Sequence, residues 1–134
     1  MLYYHYTNLQ HAASIINDDK IIVSRFEKNN KHIYKKAACW FSTNPHFEVG
    51  QFAAYQDGDG QTVEIFDAEH MAKTIGAARF GFNKLKAFIT YAKYKHDSKL
   101  GDNDWQHMNN TAQNIGADTT EWYASFQDIP LDLC

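Results

Sequence analysis

Three short stretches of this chain carry the side chains best suited to chemistry: His5-Tyr6-Thr7, Trp40-Phe41-Ser42 and Glu121-Trp122-Tyr123. An imidazole and small hydroxyls exchange hydrogen bonds with a polar ligand. Aromatic faces hold flat rings and cations. A carboxylate stabilises positive charge that forms beside it. Each group also has an ordinary structural use. A lone strand histidine is commonly structural, Thr7 can cap a helix, Trp40 can pack in a core, and a strand glutamate can face solvent.

The elements that must position these groups are legible from periodicity. Residues 2–6 read as a strand, because aromatics suit a pleated surface. Leu9, Ala12, Ala13 and Ile16 recur at helix spacing, with Thr7 and Gln10 at the positions of a capping box, and 17–19 stops that helix. Ile21-Ile22-Val23 is a second strand, and the polar, basic stretch 25–37 reads as a loop. Residues 38–43 form a third strand, broken at Asn44-Pro45. A short helix follows with Phe47, Val49, Phe52 and Ala53 inward. Residues 57–60 make a turn, and strands are expected at 62–66 and 79–82. Leu85, Phe88, Ile89 and Ala92 mark one helix. Trp105, Met108, Ala112 and Ile115 mark another, ended by Gly116. Residues 120–126 form the last long strand, limited by Pro130. Period two puts Glu121, Tyr123 and Ser125 on one face of it, and Trp122, Ala124 and Phe126 on the other. Strands near both ends with helices between them make the class α+β.

Taken together, the three stretches resemble the ADP-ribosyltransferase family, in its His-Tyr-Glu branch of the diphtheria toxin and poly(ADP-ribose) polymerase type. That family opens its catalytic domain with a strand bearing His-x-Thr or His-x-Ser, here His5-Tyr6-Thr7. An aromatic pair then leads into a serine-containing segment, here Trp40-Phe41-Ser42-Thr43-Asn44-Pro45. The last strand carries Glu followed by an aromatic, here Glu121-Trp122-Tyr123. The order of elements matches over nearly the whole chain. Tyr6 stands where many members have Gly, and Trp40 where Tyr is usual. Thr119 stands where arginine-directed members have Gln or Glu, so arginine is not the expected acceptor.

The resemblance implies one domain over 1–134, with two small antiparallel sheets forming a cleft flanked by helices. It implies NAD+ as co-substrate, and transfer of ADP-ribose to an acceptor. Breaking the nicotinamide–ribose bond makes the sugar oxocarbenium-like, and Glu121 is the carboxylate that stabilises it. Trp40 stacks on the cationic nicotinamide, with Tyr123 or Phe52 as the second wall. His5 holds a ribose hydroxyl or the adenosine side, Thr7 and Ser42 are short-range donors, and Tyr6 and Phe41 complete the binding segments. A stand-alone domain of this kind suggests a bacterial or phage effector, either a toxin or an inhibitor of host defence. The alternatives are a catalytically silent binding or inhibitor module on the same scaffold, and an NAD+ glycohydrolase.

Composition sets the outer bounds. With 134 residues and a formal net charge of −3, the chain lacks the overall basic footprint of a general nucleic-acid binder. A protein acceptor is therefore slightly favoured, although the basic stretch around Lys28, Lys31, Lys35 and Lys36 keeps nucleic acid open. Two cysteines, Cys39 and Cys134, make no disulfide framework, and no signal peptide or membrane-spanning run is visible. The expected location is the cytoplasm, possibly that of a host cell. No metal is expected: residues 57–60 begin like a calcium loop, but Thr62 and Ala68 stand where Gly and Glu are required. The histidines show no metalloprotease spacing.

Overall fold

The computed structural model describes residues 1–46, 48, 54–56, 58–64, 72–73 and 75–134, with residues 54–56 and 62–64 described through their backbone alone. The fold is α+β. A five-stranded antiparallel sheet runs β6-β1-β3-β8-β7, and two further pairs, β2-β9 and β4-β5, stand apart from it. The strands are β1 (Tyr3–Thr7), β2 (Lys20–Ile21), β3 (Cys39–Ser42), β4 (Ala54–Gln56), β5 (Thr62–Glu64), β6 (Ala78–Phe82), β7 (Ile89–Thr90), β8 (Trp122–Ser125) and β9 (Ile129–Pro130). Two small antiparallel sheets forming a cleft were expected; the described residues form one five-stranded antiparallel sheet and two separate two-stranded pairs.

Strict alternation along the central strands gives the sheet two apolar faces. Tyr3, Phe41 and Phe82 point to one face, where Phe88 and Ile15, Ile21 and Ile129 cover them. Trp40 and Ala124 point to the other, against Tyr94, Leu100 and Trp105. With both faces covered, register is strongly specified, because a one-residue slip would exchange the two sets of side chains.

Helix α1 (Leu9–Asp18) begins one residue later than the expected capping box. Asn8 is the cap, its Oδ1 accepting from His11 N at 2.7 Å, while Thr7 remains in the strand. The buried stripe is Ala12 and Ile15; Leu9 and Ile16 are exposed. Asp19 ends the helix in the left-handed region at φ 59°.

Helix α2 (Arg25–Asn29) occupies part of the stretch read as loop. Its signal was present in Ser24-x-x-Glu27, since Ser24 Oγ accepts from Glu27 N at 3.2 Å. The helical reading of 85–92 also fails in part. Ile89-Thr90 pairs with β8, and Thr90 caps α3 (Tyr91–Ser98), which starts only there. Helix α4 (Asp102–Asn114) matches its periodicity, and Gly116 follows it at φ +73°. The expected helix bearing Phe47, Val49 and Phe52 lies outside the described residues.

The last strand differs in a way that matters for the site. Residues Thr119–Glu121 form a 3-10 turn, because Asp118 Oδ1 accepts both Thr120 N at 3.0 Å and Thr120 Oγ1 at 2.6 Å. Strand β8 starts only at Trp122. Glu121 therefore leads into the strand and does not share a strand face with Tyr123. No helix among the described residues is long and apolar enough to cross a membrane.

Candidate functional site

β1 pairs with β6 along all five of its residues, and β3 with β8 along all four. Between β1 and β3 only one pair is in register, Tyr4↔Ser42. From that point toward Thr7 and Cys39 the two central strands part. A cleft of about 610 Å³ is lined by both of them, within the roughly 300–1,000 Å³ of small-molecule sites.

His5 stands in the opening. Its Nδ1 lies 2.8 Å from the main-chain carbonyl of Trp40. A carbonyl only accepts, so Nδ1 carries the proton, and Nε2 keeps its lone pair in the neutral ring. Burial pushes the imidazole below its ordinary value, outweighing the raising effect of that hydrogen bond, and the nearby charge of His11 lowers it further. His5 is therefore neutral, lines the cleft and retains an acceptor lone pair at Nε2.

Trp40 also lines the cleft, with its indole on the sheet face opposite to the His5 ring, which sits beside Phe41 at 5.6 Å. The indole is edge-on to Tyr94, with centroids 4.6 Å apart, and lies 6.4 Å from Trp122, which also lines the cleft. Glu27 fixes the indole: Oε2 accepts from Trp40 Nε1 at 2.9 Å, and Oε1 accepts from Ala38 N at 3.1 Å. Burial raises the Glu27 carboxyl above its ordinary value, and these two donors partly offset the rise. Glu27 thus bonds to the strand it braces, where a capping box would have turned it back toward Ser24. A second buried carboxylate, Glu48, accepts from Trp122 Nε1 at 2.6 Å and from Ser42 Oγ at 3.0 Å. Each of the two tryptophans nearest the cleft is thus held at its N–H by a buried glutamate.

Helix α1 contributes His11 and Ser14, and α2 contributes Arg25 and Phe26. Arg25 and Phe26 are exposed, Phe26 to 66%. Among the described residues Arg25 makes no ion pair, so its guanidinium is available to an anionic group at the mouth.

The expected site residues divide into groups. His5, Tyr6, Thr7, Trp40 and Phe41 all line the cleft. Tyr6 is largely buried, and its hydroxyl donates to the carbonyl of Asn44. Burial raises its phenol above the ordinary value, against the lowering influence of Arg79. Ser42 lies outside the lining and is fully buried, donating to Glu48 and accepting from Asn44 N at 3.1 Å. Tyr123 points to the opposite face from Trp40, because Trp40 pairs with Ala124 and Phe41 with Tyr123. Its ring meets Tyr3 edge-on at 4.8 Å, inside the core. Trp122 therefore takes the place of second aromatic near Trp40. Phe52 lies outside the described residues.

Glu121 is not in the cleft lining. It stands past the closed end, where its carbonyl accepts from Thr43 N at 3.0 Å. Its carboxylate makes no hydrogen bond or ion pair among the described residues. Partial burial raises its pKa, with the charges of Asp118 and Glu48 adding to the rise. Sequence reasoning missed Glu27, Glu48, Trp122 and Arg25 as parts of this arrangement. The capping signature at Ser24 could have found Glu27; no local signal marks the partners of Glu48.

Among the described residues no cluster of His, Cys, Asp and Glu could hold a metal ion. No family model, curated protein or solved structure matches this chain.

Proposed function

We propose that this chain is an ADP-ribosyltransferase-like domain that binds NAD+ between β1 and β3 and transfers ADP-ribose to a macromolecular acceptor. The observation that carries this reading is the parting of the two central strands around a neutral His5 and a braced Trp40. The nicotinamide ring is flat and cationic, and the half-buried indole of Trp40 offers it a π face beside Trp122. Nε2 of His5 accepts from a ribose hydroxyl. Arg25 at the mouth meets the diphosphate as a charge-assisted donor. The Glu121 carboxylate makes no hydrogen bond or ion pair among the described residues, and the family resemblance assigns it the stabilisation of the oxocarbenium-like sugar as the glycosidic bond breaks. The sugar's positive charge develops while nicotinamide leaves neutral, and an acceptor nucleophile then takes the ADP-ribosyl group.

A catalytically silent binding module is the second reading, favoured by the position of Glu121 outside the cleft lining. One experiment separates the readings. The purified protein is incubated with NAD+ labelled on the adenylate, with and without cell lysate. Free nicotinamide and macromolecule-bound label are then measured. Nicotinamide release with label transferred to a macromolecule supports the transferase. Release without transfer indicates a glycohydrolase. NAD+ binding by calorimetry without release indicates the silent module. Absence of both binding and release rejects the NAD+ reading.

A further inference from the structure

A second groove, of about 640 Å³, opens behind α2 and is lined by Lys28, Lys31, Lys35 and Lys36 together with Tyr34 and Phe126. In a chain of net charge −3, residues 28–36 hold four lysines and no carboxylate. Folding gathers these lysines about one concavity. All four are exposed, and among the described residues none of them forms an ion pair. Asp97 lies within electrostatic reach of Lys36, but it is already engaged by Lys93 at 3.7 Å and by His96 at 2.9 Å.

Aromatic rings are interleaved with the cations. Lys36 Nζ sits 5.4 Å from the centroid of Phe126. Tyr34 meets the exposed Phe26 edge-on at 6.0 Å, and Phe26 itself lines the cleft between β1 and β3. Val23 lines both concavities. The two sites therefore share a wall, topped by an exposed aromatic.

We propose that this groove binds single-stranded nucleic acid. Regularly spaced phosphates match unpaired ammonium groups, and unstacked bases need an exposed π face, which Phe26 provides at the rim beside the half-buried Tyr34 and Phe126. A double helix hides its base faces and would leave these rings unused. An acidic peptide would satisfy the lysines and leave the rings unused as well. In the context of the proposed transferase the groove names the acceptor: a strand in it passes beside the mouth of the NAD+ cleft. That role rests on the transferase reading, while the binding itself does not.

The test is fluorescence anisotropy with labelled 20-nucleotide single-stranded DNA and RNA of mixed sequence, from 25 to 200 mM salt. Duplex DNA and polyglutamate serve as competitors, and NAD+ calorimetry is run on the same samples. Binding should fall with salt at a log–log slope of about −3, the value for roughly four phosphate contacts on a single strand. The variant with Lys28, Lys31, Lys35 and Lys36 all changed to Ala should lose binding at least about tenfold. Phe26→Ala, at an exposed position, should lose roughly tenfold through stacking. The lysine variant should keep the wild-type melting curve and NAD+ response, and Phe26→Ala should keep the melting curve. The relative affinities for DNA and RNA then name the source of the strand. Salt-insensitive binding, equal binding by the lysine variant, or competition by polyglutamate as strong as by single strands overturns the proposal. NAD+ binding without strand binding sinks this inference alone, and strand binding without NAD+ binding sinks only the transferase.

Discussion

Glu27 and Trp40 are joined across 2.9 Å by a hydrogen bond from the indole Nε1 to a carboxylate that is itself buried. The same carboxylate receives Ala38 N–H. Removing it with Glu27→Ala strands two donors at once, one buried and one partly buried. Each unmet donor costs about 1–3 kcal/mol, so the variant should lose about 2–6 kcal/mol in urea unfolding. Glu27→Gln keeps the volume but presents its own N–H₂ to one donor, and should fall between. If Glu27→Ala unfolds at the wild-type midpoint, the brace is not structural and Trp40 is held by packing alone.

The His5 imidazole predicts a pH dependence of definite sign. Its folded pKa lies below the ordinary 6.5, chiefly through burial. The unfolded chain therefore takes up its proton first as pH falls. The stability it contributes is complete above 6.5 and is lost as pH falls from there through the lower folded value. Glu27 carries the opposite sign, since its raised pKa favours the folded state once it is protonated. Comparing wild type with His5→Asn isolates the histidine, because the Asn amide can still donate to Trp40. The difference in unfolding free energy should grow in favour of His5→Asn as pH drops below 6.5. A difference that stays constant from pH 7.5 to 5 rules out a neutral buried imidazole.

How far the sequence reveals this arrangement depends on the range of the interaction. His5 and Trp40 stand out because strand alternation and a short motif place them, and both features are local. Helix α4 likewise follows from residues close in sequence, whereas the β1–β6 pairing joins segments far apart in the chain and no local signal matches them. Glu48 and Trp122 are 74 positions apart and meet only in three dimensions, so nothing near either residue announces the bond. The strand reading of 120–126 failed at Glu121 because the Asp118 side chain captures the next turn, a local competition that β-propensity overlooks. The helical reading of 85–92 failed because tertiary burial of Phe88 and pairing of Ile89 outweighed a helix-like spacing.

Glu121 should be separable from Trp40 by kinetics. If Glu121 stabilises the sugar cation, Glu121→Gln keeps NAD+ affinity and reduces turnover about 10²–10³-fold, the scale of one charge-stabilising group. Trp40→Ala should chiefly weaken NAD+ binding, since stacking is made in ground and transition states alike. Unchanged nicotinamide release by Glu121→Gln removes that carboxylate from the mechanism. Glu27, whose two oxygens already serve Ala38 and Trp40, would then be the carboxylate to test next.

The two cysteines should differ sharply in reactivity. Cys39 is buried in the core, where desolvation pushes its thiol up to about 12, while Cys134 is exposed. The thiolate is the reactive form, so the native protein should titrate rapidly with one equivalent of a disulfide reagent at pH 8 and with two in urea. Fast labelling of both in the native state would mean that the β3–β8 seam opens readily near Ser125.

Tyr94 offers a test of the packing on the Trp40 face. Its ring is fully buried between Trp40, at 4.6 Å, and Phe126, at 5.9 Å, yet its hydroxyl makes no well-formed hydrogen bond among the described residues, Ser98 being a close polar neighbour. Ser98, one turn further along α3, directs its own hydroxyl to Lys95 O at 3.3 Å and accepts from Leu100 N at 3.2 Å. Burial drives the Tyr94 phenol well above its ordinary value, so the group stays neutral and polar in an apolar layer. Tyr94→Phe retains the ring contacts and removes only the unmet polar group. It should leave the stability unchanged or raise it by up to about 1 kcal/mol. A loss greater than about 1 kcal/mol would show that the hydroxyl is satisfied in solution, and that the layer behind Trp40 admits water.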